Sequence, residues 1–278
     1  MPELPEVETI VRQLNKKAKN LTVKDACFYW RKILKKGIPA SRFSKSIKEK
    51  KILKVRRKGK NILIDLSGGL TLLIHLKLTG RLLFGEKSFI EKDPYLRFHL
   101  ELSKNKILVL SDLRKFAKII LDKTEKIENL KELKELGPEP LASDLSIDRF
   151  ASLINKKKKK IKDWLMDQTM ISGIGNIYAN EILWEAKVNP FKLASALEKR
   201  EITKIYQAIK KVLLLAIKNK GATISDEMYR DISGNPGEYG EKRKIYQRQG
   251  EKCQRCKAII KKTVISARSA FYCPKCQK

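Results

Sequence analysis

Residues 136–141 read Leu-Gly-Pro-Glu-Pro-Leu, and the hydrophobic pattern changes period across them. Before this point apolar residues alternate, as in Ile62, Ile64 and Leu66 and again over 96–102, or form short continuous runs at 70–76 and 107–110. Period two belongs to strands, whose side chains point to opposite faces in turn. Ser67-Gly68-Gly69 lies between two such runs and predicts a hairpin turn. Residues 21–30 are also rich in strand formers. Short strands joined by glycine and polar turns predict a two-sheet sandwich or barrel. Beyond residue 141 the period becomes helical, with helices expected over about 144–155, 160–168, 176–186 and 198–219. Two prolines in six residues are the punctuation such a switch needs.

A helix leads the strand-rich part. Val7, Ile10, Val11 and Leu14 form an i, i+3, i+4, i+7 stripe, and Pro5 suits a first turn. The charged stretch 123–135 reads as helix or linker, and 221–250 as a polar loop with a tip at 233–237. The fold class expected is α+β: an N-terminal two-sheet β-sandwich with a leading helix, then a helical domain ending in a zinc-ribbon β-hairpin. The expected divisions are 1–136, a linker and helix start at 137–150, a helical segment 151–245, and a hairpin 246–278.

Four of the five cysteines set that ending. Cys253 and Cys256 form one CxxC pair, and Cys273 and Cys276 a second after sixteen intervening residues. Four thiolates so spaced can surround one Zn²⁺ tetrahedrally. Two disulfides are the alternative, which a reducing compartment disfavours. Cys27 reads as a small core residue.

The chain carries 62 basic and 31 acidic residues, a net charge of +31. Such an excess fits a polyanionic partner, because lysines and arginines displace the counterions condensed on phosphates. A solvated lysine-rich surface is the bland alternative. No run of about 18 apolar residues predicts a membrane span, and no signal-peptide core opens the chain. A cytoplasmic, nucleoid-associated monomer is expected. Only His75 and His99 could serve a histidine-based mechanism, so the chemistry falls to amines and carboxylates.

Met1-Pro2-Glu3 supplies both. Removal of Met1 would leave Pro2 as a secondary amine, nucleophilic at neutral pH. Glu3 beside it can act as acid or base. Further candidates are the basic turn Arg56-Arg57-Lys58-Gly59-Lys60 and the stretch Ser172-Gly173-Ile174-Gly175-Asn176, where Asn176 opens a helix able to bind phosphate. In Asp112-Leu113-Arg114-Lys115-Phe116 an arginine and an aromatic stand two apart at a strand end, a possible duplex wedge. Arg268 stands among small residues between the two CxxC pairs, suited to a close approach to a phosphate backbone.

Seven segments taken in order resemble the bacterial formamidopyrimidine-DNA glycosylase family over essentially the whole chain: MPELPEVET, RRKGK, HLKLTG at 75–80, DLRKF, LGPEPL, the stretch from Asp167-Gln168 through SGIGNIYANE, and CxxC…RSAFYCPKCQ. The MPELPEVE start separates this branch from the related endonuclease VIII branch. The resemblance implies a helix–two-turn–helix DNA-binding domain with a lesion-capping loop and a zinc finger holding one structural Zn²⁺. It implies a bifunctional enzyme of base-excision repair, acting on double-stranded damaged DNA. Oxidised purines (ring-opened formamidopyrimidines and 8-oxoguanine) would be excised and the strand then cut by β,δ-elimination. By position, Pro2 would be the nucleophile, Glu3 the general acid/base, Lys60 a contact to the lesion phosphate, and Arg268, Asn176, Lys162 and Lys157 the phosphate grip. Glu6 would lie near the base pocket. Leu78, Arg114 and Phe116 would fill the gap in the stack, with His75 and Tyr95 among the DNA contacts. The chain departs from the family at Leu78, usually methionine, at Ala117, usually glycine, and most over 222–249. Two other functions share many of these features: an inactive zinc-ribbon protein that binds damaged DNA, and a lyase shifted toward oxidised pyrimidines.

Overall fold

The computed structural model describes residues 1–87, 93–154, 158–224 and 228–278. They fall into two compact units, Met1–Lys134 with Asn219–Gly240, and Glu135–Lys218 with Glu241–Lys278.

The first unit begins with α1 (Leu4–Lys17). The predicted stripe is its buried face: Val7, Ile10, Val11 and Leu14 all lie in the core. Burying side chains of this size stabilises by about 1.5–3 kcal/mol each. Glu3 caps the helix, and its N–H donates to Glu6 Oε2 at 2.8 Å, one arm of a capping box. Two four-stranded antiparallel sheets follow. One has the order β1 (Val23–Phe28), β6 (Leu96–Leu102), β7 (Lys106–Asp112), β5 (Gly80–Gly85). The other has the order β2 (Ile52–Lys58), β3 (Asn61–Leu66), β4 (Leu70–His75), β8 (Lys118–Lys123). The β3–β4 hairpin turns through Gly68 and Gly69, at φ 77° and 68°, which L side chains rarely adopt. Ile62, Ile64, Leu72, Leu100 and Leu110, from both sheets, share one core with α1. Ala40–Ile47 adds α2, burying Phe43 and Ile47, and the charged stretch folds as α3 (Thr124–Glu128) and α4 (Lys131–Lys134).

Residues 219–240, which the sequence pattern joins to the helical segment 151–245, pack with this first unit instead. Ile232 is fully buried in the sandwich core, and its carbonyl accepts from Phe84 N–H at 2.7 Å. Gln13 donates to Asp231 at 2.9 Å.

The second unit holds α5 (Ile147–Ile154), α6 (Ile161–Met166), α7 (Asn176–Ala186), α8 (Lys199–Lys218) and the hairpin of β9 (Lys261–Ile265) and β10 (Arg268–Tyr272). The Pro-rich strap lies along the turn before α7: Gly137 N–H donates to Gln168 O and Ser172 N–H to Pro138 O, at 2.8 and 3.0 Å. A Cβ on Gly137 would stand 2.5 Å from the Met170 carbonyl carbon, so this close approach requires glycine.

Candidate active site and nucleic-acid contacts

In the first unit the cap of α1 holds Pro2 and Glu3 in buried positions, while Met1 is 36% exposed. Glu6 fixes this end. It is 1% exposed, and while Oε2 accepts from Glu3 N–H, Oε1 accepts from Ala222 N–H at 2.8 Å. One carboxylate therefore ties the N-terminal end of α1 to the start of the 219–240 segment. Gly221 makes that contact possible, since a Cβ there would stand 2.8 Å from Glu6 Oε1.

Lys60 closes the turn between β2 and β3, where Gly59 has φ 57°. The turn is clamped to α1: Arg57 Nε lies 2.8 Å from Glu8 Oε2, and Arg57 Nη1 donates to Gly59 O at 3.0 Å. Burial alone would raise the Glu8 carboxyl, but its bonds from Arg57 and Arg12 hold it below its ordinary range. Lys60 shares its surroundings with His75, at the end of β4. Burial first, then the charges of Lys77, Lys118 and Lys60, pushes the His75 imidazole down to about 3. It is neutral at physiological pH, and its Nδ1 accepts from Lys77 N–H at 3.0 Å.

Two turns carry Leu78, Arg114 and Phe116, the residues expected to fill a gap in the stack. Leu78 sits half-buried in the turn before β5. Leu113 and Phe116, 46% and 50% exposed, follow β7. The buried Asp112 carboxylate joins them: it accepts from the Thr79 hydroxyl, from Arg114 N–H at 3.2 Å and from Ala117 N–H at 2.7 Å. The sequence places Arg114 and Phe116 on a strand end with side chains aligned by alternation. The strand in fact stops at Asp112, and a turn with Lys115 at φ 59° brings the Arg114 guanidinium 4.8 Å from the Phe116 ring centre. Tyr95 is exposed beside this turn, and its carbonyl accepts from Asp112 N–H at 2.8 Å. The structure thus brings Leu78, Arg114, Phe116 and Tyr95 together.

In the second unit Lys162 lies fully buried on α6. Arg268 is exposed at the start of β10, after a turn in which Ser266 and Ala267 both have positive φ, 46° and 61°. Ser266 Oγ donates to Asp163 Oδ2 at 2.7 Å, holding the hairpin tip against α6 beside Lys162. Asn176 opens α7 after Gly173 at φ 84°. Gln168 braces this turn by donating to Met166 O and Ile174 O and accepting from Gly173 N–H. Lys157 lies outside the described residues.

The four-cysteine cluster fits a metal. All four Sγ atoms lie within 4.8 Å of one another, with Cys256–Cys273 at 3.3 Å and Cys253–Cys276 at 4.0 Å. Four thiolates about 2.3 Å from Zn²⁺ in a tetrahedron stand about 3.8 Å apart. The site is anchored to α7, where Asn180 Oδ1 accepts from Phe271 N–H and the buried Glu181 accepts from the N–H groups of Lys244, Ile245 and Tyr246.

Asp112, Thr79, Asp163 and Gln168 carry no role in the sequence reading, though three of them lie inside or beside its motifs. Their partners are set by the fold and leave no local signature.

Three family models match this chain: the formamidopyrimidine-DNA glycosylase N-terminal domain over residues 1–119, its H2TH domain over 136–228, and the zinc finger found in FPG and IleRS over 250–278. The formamidopyrimidine-DNA glycosylase of Pelotomaculum thermopropionicum is 41% identical, with 100% of this chain and 99% of that protein aligned. Among solved structures, the MutM (FPG) protein of Thermus thermophilus superposes with a TM-score of 0.89 at 31% identity, covering 99% of this chain and 98% of the other. The Lactococcus lactis FPG in complex with Fapy-dG-containing DNA gives a TM-score of 0.90 at 29% identity, covering 99% and 100%.

Proposed function

The chain belongs to the formamidopyrimidine-DNA glycosylase family, and we propose that its glycosylase and abasic-site lyase activities run through the N-cap of α1. Loss of Met1 would make Pro2 the chain's amine terminus. Its nitrogen attacks C1′ of the damaged nucleotide as the glycosidic bond breaks, and the base departs with a proton. Glu3 protonates the ring oxygen, opening the sugar and leaving an iminium on Pro2. Loss of a C2′ proton then expels the 3′ phosphate, and a second elimination expels the 5′ phosphate. Water releases the sugar remnant and restores the amine.

The observation that carries this reading is the pairing of a buried Pro2 and Glu3 with a fixed Glu6 at one helix end. Lys60, clamped to the same helix through Arg57 and Glu8, is assigned to the lesion phosphate. Arg268, Lys162, Asn176 and Lys157 are assigned to the phosphates around an extruded nucleotide. Leu78, Arg114 and Phe116 fill the space it vacates, with His75 and Tyr95 contacting DNA nearby; chemistry on a stacked base requires this extrusion. Cys253, Cys256, Cys273 and Cys276 would hold one Zn²⁺, which supplies rigidity to the hairpin and no bond-making step. Oxidised purines are the proposed substrates, and damaged duplex DNA the partner of a cytoplasmic monomer. Among the described residues no helix is long and apolar enough to cross a membrane.

Borohydride trapping on duplexes carrying 8-oxoguanine, a formamidopyrimidine, an oxidised pyrimidine or an abasic site tests the reading, with the adduct mapped by mass. A purine-lesion adduct on Pro2, absent in Pro2→Gly, is expected. An adduct confined to oxidised pyrimidines would move the substrate class. No adduct on any duplex, with Met1 removed and binding intact, would leave a damage-binding protein.

A further inference from the structure

The indole of Trp184 presents an unanswered question of hydrogen bonding. Trp184 lies near the end of α7, 6% exposed, in the apolar cluster that also holds Cys253, Cys273, Ile260 and Phe271. Its Nε1–H is buried and, among the described residues, makes no hydrogen bond of ordinary geometry. An indole N–H can only donate, and an orphaned buried donor costs about 1–3 kcal/mol. Native structures seldom retain one without a reason such as a missing ion.

The ring is not free to turn toward another partner. The Arg255 guanidinium covers its face at 3.9 Å from the ring centre. Arg255 Nη1 also donates to Trp184 O at 2.9 Å, and Nη2 lies 3.8 Å from Glu185 Oε2. Arg255 is two residues past Cys253, so the first CxxC pair and the end of α7 grip one another through this stack. The Cys253 sulfur lies in the same cluster, within interaction reach of the indole.

We propose that Trp184 is a positioning residue of the zinc centre, its indole N–H donating to the Cys253 sulfur once that sulfur is a metal-bound thiolate, with Arg255 holding the ring in place. A neutral thiol is a weak acceptor, whereas a thiolate carries the charge that makes the bond strong. The donor, in turn, spreads that charge and slows loss of the metal. Outer partners of this kind alter metal affinity about 10–100-fold. The arrangement gives α7 two tasks, with Asn176 at one end facing the phosphate role and Trp184 at the other securing the hairpin that carries Arg268.

Trp184→Phe keeps the ring and its guanidinium contact but removes the N–H. Zinc release from the full-length protein into excess chelator should accelerate about 10-fold or more, with the zinc content before challenge unchanged. A release rate equal to that of the unaltered protein would overturn the proposal. Should the variant fold poorly, the unaltered protein answers alone. When it is loaded with cadmium, the Trp184 indole proton should show scalar coupling to the metal through Cys253. Absence of that coupling in an otherwise resolved spectrum would equally overturn it.

Discussion

The candidate residues on the sandwich and the cysteine hairpin are held by different physics. On the sandwich, buried carboxylates do the organising: Glu6 and Asp112 each collect donors from segments far apart or from both sides of a turn, against an extended apolar core. Beside the hydrogen bonds to Asn180 and Glu181, the hairpin rests on a small cluster whose buried members other than cysteine are, among the described residues, Trp184, Ile245, Ile260 and Phe271. Such a cluster is too small to order a hairpin by burial, so the metal must contribute the difference. Groups proposed to contact DNA can thus be held in place either by a core with internal hydrogen bonds or by coordination. Only the second can be removed by a chelator.

Metal loss should therefore have the largest effect and should be local. Structural zinc sites of this type contribute about 10–16 kcal/mol of binding free energy at neutral pH. In Cys256→Ser the zinc content should fall to zero, and duplex affinity should drop at least about 100-fold as Arg268 loses its support. The sandwich should keep its thermal transition, followed by near-ultraviolet circular dichroism. If affinity survived in the zinc-free variant, the hairpin would not be the metal-dependent half of the contrast.

Asp112→Ala probes the other half. It leaves the Thr79 hydroxyl and the amides of Arg114 and Ala117 without their acceptor in a buried place. The expected loss is about 3 kcal/mol of stability, measured by denaturant unfolding, with zinc content unchanged. Because Leu78 and Phe116 sit on the two turns that Asp112 joins, discrimination between partner bases should weaken more than overall duplex affinity. A loss below about 0.5 kcal/mol would show that the wedge turns are fixed by something other than this carboxylate.

Much of this contrast was legible in the sequence on one side only. The cysteine spacing points to a metal site, with two disulfides as the alternative, because the ligands are themselves the signal. The alternation over 61–66 and 96–102 matches β3 and β6 residue for residue. β2, β5 and β8 do not stand out, since Arg56, Arg57 and Lys58 on β2 and the flanking lysines of β8 break the alternation. Those charges are tolerated because partners meet them: Arg56 lies 2.6 Å from both Asp65 and Glu128, from other elements. α2 shows only Phe43 and Ile47 as an apolar pair, too little to announce a helix. Among the described residues of 219–240, Tyr229 and Ile232 are the ones that join the sandwich core, and they stand within a polar stretch. The site shows the same asymmetry. Pro2, Glu3 and Lys60 stand in contiguous motifs, whereas the links from Glu6 to Ala222 and from Asp163 to Ser266 join positions that no local pattern connects.

The smallest effect expected is a pH dependence confined to the sandwich. His75 ionises near about 6.5 in an unfolded chain, but burial and three neighbouring lysines push it to about 3 in the folded one. Between these values the unfolded state binds the extra proton, so stability must fall as pH falls. The contribution is intact above about pH 6.5, is about 2 kcal/mol smaller at pH 5, and keeps declining toward pH 3. His75→Gln retains an acceptor for Lys77 N–H and cannot titrate, so the sandwich transition should lose about that much of its acid sensitivity. Metal release also grows in acid, because thiolates must be deprotonated to bind. Following the Trp184 and sandwich signals separately in the zinc-free Cys256→Ser background isolates the histidine. An unchanged acid slope in the doubly substituted protein would mean that His75 is solvated in the folded state, and that the lysine cluster around it does not set its protonation.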